Sequence, residues 1–170
     1  MAWTDLATIK TPERVARLPK DDRGYPIFYA VSVDAEGKPN FRVIDPQKWE
    51  LGIRDRLCGV CGQRLGKRLA FVGGPKSIKS RYFTDLPMHE SCAEYAVQVC
   101  PFIVLPKFKY ASEHKAAVAI NPVVDDNRPQ QFGIGITTKM KLVSLQGQIV
   151  IRAGAFARVQ YWKEGQPVSP

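Results

Sequence analysis

Cys58-Gly59-Val60-Cys61 and, after 27 intervening residues, His89-Glu90-Ser91-Cys92 are the two stretches of this sequence that decide its fold. Each stretch carries two metal-binding side chains with two residues between them. Thiolates and an imidazole suit one tetrahedral zinc ion, with Zn–S distances of about 2.3 Å. The sequence therefore predicts a structural Zn²⁺ site whose ligands are Cys58, Cys61, His89 and Cys92.

The spacing within each pair also predicts local structure. Two residues between Cys58 and Cys61 allow one short turn to present both thiolates to a single ion. Glycines at positions 59 and 62 tolerate positive φ and leave room for backbone N–H groups to face sulfur. His89 and Cys92 are three positions apart, so they share one face of a helix. We predict that this helix runs from about His89 to Val99.

Two other uses of the cysteines stay open at this point. Four cysteines can form two disulfides in a secreted protein, and Cys58–Cys61 can be a thioredoxin-like redox pair. Met1–Lys10 lacks the basic start and apolar stretch of a signal peptide, so we expect a cytoplasmic protein. The glycine-containing segment Gly62–Gly66 is a poor start for the long helix of a redox motif.

Cys100 and His114 are the remaining residues of a metal-binding type. Cys100 follows Cys92 by eight residues, about 12 Å along a helix, so both bind one ion only if the helix breaks. We expect Cys100 to be buried at the end of the helix. His114 lies in a polar stretch without a second ligand nearby, and we expect it at the surface.

Length and composition indicate one compact domain. The chain has 170 residues, is 45% hydrophobic, and contains thirteen glycines and thirteen prolines, which favour short elements and many turns. We divide it into an N-terminal β-hairpin region at 1–52, a zinc-binding module at 53–110 and a C-terminal β-hairpin region at 111–170. No apolar run approaches the roughly 18 residues that cross a bilayer.

Residue patterns predict an α+β fold, with antiparallel β-hairpins around a treble-clef-like zinc-binding core and one central helix. Before the first cysteine pair we predict a short helix at Thr11–Leu18, strands at Tyr25–Val33 and Phe41–Ile44, and a helical turn at Trp49–Arg56. Between the ligand pairs we predict strands at Leu69–Gly73 and Ser80–Thr84, which form a hairpin around Gly73–Ser77. After a polar loop at Asn121–Gln131, strands at Ile134–Ser144 and Gln148–Trp162 are joined at Gln146-Gly147.

The positive charge is concentrated between the ligand pairs. The chain carries a net +9, of which residues 53–81 contribute +7 through eight basic residues and one acid, Asp55. This distribution is typical of a protein that contacts nucleic-acid phosphates, although a solvated surface is the alternative. We predict phosphate contacts by Arg64, Lys67, Arg68, Lys76, Lys79 and Arg81. Phe71, Tyr82 and Phe83 are available for stacking on bases, although Phe71 also suits the core.

The order of two cysteines, a hairpin and a helix bearing the last two ligands resembles the treble-clef zinc finger. That class includes LIM fingers, which bind partner proteins, and PARP-type fingers, which bind broken DNA. A shared fold therefore leaves the function open.

Residues 57–106 show a closer resemblance. Leu57-Cys58-Gly59-Val60-Cys61-Gly62-Gln63-Arg64-Leu65-Gly66 and Leu69-Ala70-Phe71-Val72-Gly73-Gly74-Pro75 make up its first block. The second block has the pattern H-x2-C-A-x2-A-x3-C-P-F, met by His89, Cys92, Ala93, Ala96, Cys100, Pro101 and Phe102. Together they resemble a recurrent, uncharacterised family of zinc-binding proteins from bacteriophages and bacterial genomes. The resemblance implies the same metal ligands and a phage or mobile-element origin, but no activity.

Three functions follow as hypotheses. The first is a non-catalytic, zinc-stabilised accessory factor that contacts nucleic acid through the basic hairpin. The second is a phage-encoded inhibitor or adaptor that binds a host protein with the same face. The third is an HNH-like metal-dependent nuclease that uses His114 as base and Asp125-Asp126 to hold magnesium. Four protein ligands close the zinc shell, which disfavours catalysis by that ion.

Overall fold

The computed structural model describes residues 6–104 and 129–169, and within these ranges the predicted α+β class is confirmed. After a 3₁₀ turn at Leu6–Thr8, the helices are α1 (Glu13–Ala16), α2 (Pro46–Asp55), α3 (Pro75–Ser80), α4 (Glu90–Val99) and α5 (Pro101–Val104). The strands of the N-terminal half are β1 (Val31–Val33), β2 (Pro39–Ile44), β3 (Leu69–Gly73) and β4 (Tyr82–Phe83). Those of the C-terminal part are β5 (Phe132–Thr137), β6 (Met140–Leu145), β7 (Gln148–Ala153), β8 (Arg158–Lys163) and β9 (Gln166–Val168). None of these helices is long and apolar enough to cross a membrane.

The predicted N-terminal hairpin is confirmed as the antiparallel pair β1–β2. Asp34 closes its turn, because its carboxylate accepts the backbone N–H groups of Glu36 and Lys38 at 3.0 and 2.8 Å. The first strand is shorter than predicted. The N–H groups of Tyr29 and Ala30 bind the carbonyls of Val60 and Gly59 instead of a strand partner, at 2.8 and 3.1 Å.

The hairpin predicted between the two ligand pairs is wrong. Strand β3 pairs with β5, and β4 pairs with β7, so the two strands lie in different sheets. Helix α3 separates them, because Gly74 is its N-cap and Pro75 its first residue, a combination that favours a helix start. The six proposed basic residues therefore do not lie on a hairpin.

The predicted C-terminal turn at Gln146-Gly147 is confirmed between β6 and β7. Both residues have positive φ, 53° and 79°, as in the two-residue turns that join antiparallel strands. Each of the two long predicted strands is nevertheless two strands. Lys139 lies between β5 and β6, and Gly154 lies between β7 and β8, where the chain passes from one sheet to the other. The N–H of Gly154 binds the Lys139 carbonyl there at 2.7 Å.

Two apolar clusters lie on opposite faces of the four-stranded sheet β3-β5-β8-β9, since successive strand residues point to opposite sides. Helix α4 covers one face, where it forms a cluster with Ala70, Val72, Ile134, Ile136, Ala93, Ala96 and Val97. The other face contributes Leu69 and Phe71 to a cluster with Ile78, Phe83, Leu86 and Ile151. The helix that bears two metal ligands is thus anchored on the central sheet.

Strand β7 offers a direct test of this arrangement. Ile151 is completely buried, whereas Ile149 in the same strand is 52% exposed. We expect Ile151→Ala to lower the free energy of unfolding by about 2–5 kcal/mol, because it opens a cavity in the core. Ile149→Ala, the matched control, should change it by less than about 0.5 kcal/mol in the same denaturant titration. Equal effects of the two substitutions would contradict the difference in burial between Ile151 and Ile149.

Candidate metal centre

Cys58, Cys61, His89 and Cys92 converge in the arrangement typical of a structural zinc site, with all four ligand atoms within 4.8 Å of one another. The two cysteines of the first pair lie on the turn that follows α2. His89 is the N-cap of α4, and Cys92 lies in the first turn of that helix. The three cysteines are buried and His89 is partly buried, so the site is shielded from solvent.

Two of the distances between ligand atoms are close to those expected around a tetrahedral zinc ion. Nδ1 of His89 lies 3.4 Å from Sγ of Cys61 and 3.9 Å from Sγ of Cys92. Tetrahedral Zn–S and Zn–N bonds of ordinary length separate neighbouring ligand atoms by about 3.5–3.8 Å. Nδ1, and not Nε2, is therefore the nitrogen directed at the metal position.

The other imidazole nitrogen fixes this orientation. Nε2 of His89 lies 2.9 Å from the backbone carbonyl oxygen of Arg64. A carbonyl only accepts hydrogen bonds, so Nε2 carries the proton and Nδ1 presents its lone pair to the thiols. Hydrogen bonds of this kind set the tautomer and the ring angle of metal-binding histidines.

Backbone N–H groups face the sulfur atoms, as the glycine-containing turn predicts. Sγ of Cys58 accepts from the N–H groups of Val60 and His89, each at 3.4 Å. Sγ of Cys61 accepts from the N–H of Gln63, also at 3.4 Å. These bonds stabilise negative charge on sulfur and hence the thiolate form that binds metal.

The thiols influence one another's protonation. Hydrogen bonds from the Cys58 and Cys92 side chains lower the pKa of Cys61. Burial raises the pKa of Cys58, and the hydrogen bond to Cys58 is the main cause that raises the pKa of Cys92. The three thiols thus differ in pKa, which is lowered for Cys61 and raised for Cys58 and Cys92. A bound divalent cation replaces the remaining protons and allows three thiolates to coexist.

The first cysteine pair is held against both the N-terminal region and the approach to α4. The N–H of Gly59 binds the Pro87 carbonyl at 3.0 Å. Gly62 has a φ of +74°, and a Cβ at this position would lie 2.9 Å from Cδ1 of Tyr29. Ala70 in β3 exchanges two backbone hydrogen bonds of 2.9 Å with Met88, which brings the second ligand pair to the first.

The structure places Cys100 outside this group. It is the C-cap of α4, whose ten residues form an unbroken helix, and it is buried in the cluster beneath that helix. His114, Asp125 and Asp126 lie outside the described residues, so the magnesium nuclease hypothesis stays untested.

The basic residues predicted to contact phosphate fall into two groups at opposite ends of β3. Arg64, Lys67 and Arg68 are exposed in the loop between Cys61 and β3, which we call the zinc-anchored loop (residues 62–68). Lys76 and Lys79 are exposed on α3, and Arg81 is partly buried directly after it.

The predicted stacking residues are mostly core residues. Phe71 and Phe83 are 1% and 2% exposed, and their ring centroids lie 4.9 Å apart. Tyr82 retains partial exposure.

No sequence pattern predicted the cluster of ion pairs that lies beside the metal site. Glu90, next to the ligand His89, pairs with Arg68 at 3.3 Å and also with Arg158. Arg158 follows Glu90 by 68 positions, and only the pairing of β8 with β5 brings it close. Glu90 thus compensates part of the charge of Arg68.

No protein-family model matches the chain, and comparisons with curated proteins and with solved structures give no significant match. The resemblance to the phage and bacterial family therefore stays a prediction. So does the treble-clef assignment, because a strand, a helix and a second strand replace the expected hairpin between the ligand pairs. The metal-site geometry stands independently of both.

Substitution of single cysteines tests the ligand set. We expect Cys58→Ser to reduce zinc from about one ion per chain to a small fraction, and to lower the thermal midpoint, because structural zinc contributes folding free energy. Cys100→Ala is the matched control and should retain zinc. Zinc content by mass spectrometry and thermal unfolding followed by circular dichroism measure both effects. Full zinc retention by the Cys58 variant would overturn this ligand set.

Gly62 tests the shape of the turn. We expect Gly62→Ala to destabilise the protein by about 1–3 kcal/mol, because its positive φ and the nearby Tyr29 ring both oppose a methyl group. Gly66→Ala in the same loop is the control, since a Cβ there meets nothing within 4 Å. It should change stability by less than about 1 kcal/mol. Denaturant unfolding of both variants is the measurement, and similar losses would contradict the turn geometry.

Proposed function

We propose that this protein is a non-catalytic, zinc-stabilised binding protein that contacts nucleic-acid phosphates through basic side chains of the zinc-anchored loop. The observation that carries the proposal is the 2.9 Å hydrogen bond between Nε2 of His89 and the Arg64 carbonyl. It joins a metal ligand directly to the backbone of a basic residue. The metal site therefore positions part of the basic surface.

Further backbone contacts hold the same loop. Leu57 and Arg64 form an antiparallel bridge, and the N–H of Leu65 binds the Arg56 carbonyl at 2.8 Å. Arg56 is itself exposed, so it adds a fourth basic side chain beside the loop. A backbone that is ordered before binding loses less conformational entropy when the partner binds.

The side chains of the loop differ in how much charge they offer. Arg64 and Lys67 are exposed, whereas the charge of Arg68 is shared with Glu90. We therefore assign the main phosphate contacts to Arg64 and Lys67, with a smaller contribution from Arg68. Such contacts release counterions and make affinity fall with added salt.

Helix α3 supplies the second group of the proposed surface. Lys76 and Lys79 are three positions apart and share one face of the helix. The five residues of β3 separate this group from the loop by about 16 Å, the length of roughly five nucleotides along a strand. Arg81, which is partly buried, is the least accessible of the six residues.

The ligands support the part of the proposal that gives the zinc ion no catalytic role. Three cysteines and one histidine fill the four positions of a tetrahedral zinc ion, which leaves none for a reactive water molecule. The hypothesis of a phage-encoded adaptor for a host protein uses the same basic face, and nucleic-acid titration separates it from the present proposal.

The experiment is a salt series. Affinity for labelled single-stranded and double-stranded oligonucleotides, measured by fluorescence anisotropy, should fall steeply with salt. We expect the double variant Arg64→Gln and Lys67→Gln to weaken binding to every sequence and to reduce the log–log salt slope by about 2.

Lys38→Gln is the control, because Lys38 is exposed on the distant β1–β2 turn. It should leave the slope unchanged. If the wild-type protein shows no salt-dependent affinity for either oligonucleotide, the proposal is wrong and a protein partner takes precedence. Equal slopes for the wild type and the double variant would remove Arg64 and Lys67 from the interface.

A further inference from the structure

Strand β6 forms one edge of the three-stranded sheet β4-β7-β6. The inner strand β7 pairs with both β4 and β6, and this register produces two rows of side chains that run across the sheet, one on each face. Phe83, Ile151 and Leu142 form the first row, and Tyr82, Arg152 and Lys141 form the second. Each row ends at β6 with a residue that faces solvent.

The apolar row is buried except at its β6 end, which is exposed to solvent. Phe83 and Ile151 are 2% and 0% exposed, whereas Leu142 at the edge is 48% exposed. Ile149, two positions before Ile151 and on the same face, is 52% exposed. Leu142 and Ile149 are diagonal neighbours across the β6–β7 pair, so their side chains form one exposed apolar patch at the sheet edge.

The second row is basic. The Arg152 guanidinium lies 5.7 Å from the ring centroid of Tyr82, and Lys141 continues the row as an exposed edge residue. The surrounding sequence adds no compensating acid, because positions 127–163 contain no aspartate or glutamate. The same positions contain Arg128, Lys139, Lys141, Arg152, Arg158 and Lys163, of which Arg158 is paired with Glu90 in α4.

We propose that the β6 edge binds an extended segment of a partner protein in which apolar and acidic side chains alternate. A strand added to β6 pairs with its backbone and places successive side chains on opposite faces. An apolar residue beside Leu142 then extends the first row, and an acidic residue beside Lys141 extends the second. Cross-strand pairs of both kinds stabilise sheets.

Charge and side-chain chemistry select this partner over two others. A second copy of the chain brings the same lysines and a net charge of +9, and lysine on an edge strand opposes pairing between copies. The phosphates of a nucleic acid would pair with Lys141 and Arg152, but they form no favourable contact with the aliphatic side chains of Leu142 and Ile149. A strand with alternating acidic and apolar residues pairs its acids with the basic row and its apolar side chains with the apolar row. The residues of this surface belong to β4, β6 and β7 and not to the zinc-anchored loop.

The experiment uses an end-blocked, labelled eight-residue peptide of alternating valine and glutamate, titrated with the full chain and followed by fluorescence anisotropy. We expect saturable binding that weakens at least tenfold in Leu142→Asp and in Lys141→Glu. Lys163→Glu, at an exposed position of β8 in the other sheet, is the matched control and should bind as the wild type does. Wild-type thermal midpoints for the three variants confirm that each folds.

A second peptide tests the mode of binding. Backbone N-methylation at every residue removes the N–H groups of both edges of the peptide, so it can no longer donate hydrogen bonds to a strand, and should abolish binding. Equal affinity for this peptide, or no binding of the parent peptide, would overturn the proposal. So would a wild-type dimer in sedimentation that Leu142→Asp dissociates, which would make a second copy the occupant. Oligonucleotide binding that is lost in both edge variants would instead identify this surface as a nucleic-acid site.

Discussion

Three buried thiols and one imidazole that meet at a single point are the constraint on which the rest of this structure depends. Their close packing is stable as thiolates only with a divalent cation among them, because three negative charges repel in a site that excludes water. The same turn binds the backbone of Tyr29 and Ala30, and the second ligand pair is tied to β3 through Met88. The metal therefore joins the N-terminal hairpin region, the central sheet and helix α4.

The parts of the fold that short sequence spacing determines were predictable. The ligand pairs, the turn at Gln146-Gly147 and the helix after His89 each depend on neighbouring residues. Strand pairing was not predictable in this way. Strand β3 pairs with β5 and β4 pairs with β7, and each partner strand follows by about sixty residues. Gly74-Pro75 fits two patterns, the start of a helix and a turn between strands. We predicted the turn, and the structure has the helix. The Glu90–Arg158 contact similarly exists only after β8 has joined the sheet.

Charge is distributed over two surfaces of different chemistry. The zinc-anchored loop presents long basic side chains on a backbone held by a metal ligand, a combination that suits phosphate. The β6 edge combines basic and aliphatic rows at the edge of a sheet formed by the described residues, a combination that suits an extended polypeptide. Taken together, the two proposals describe an adaptor between a nucleic acid and an acidic protein, with a different surface for each partner.

X-ray absorption spectroscopy at the zinc edge tests the central claim most directly, because it counts and identifies the atoms bound to the metal. The zinc-loaded protein should show three sulfur atoms at about 2.3 Å and one imidazole nitrogen at about 2.0 Å. Four sulfur atoms would place Cys100 in the shell and release His89, which would remove the link to Arg64. Two or more light atoms, one of them from water, would mean an open site and would contradict a structural zinc.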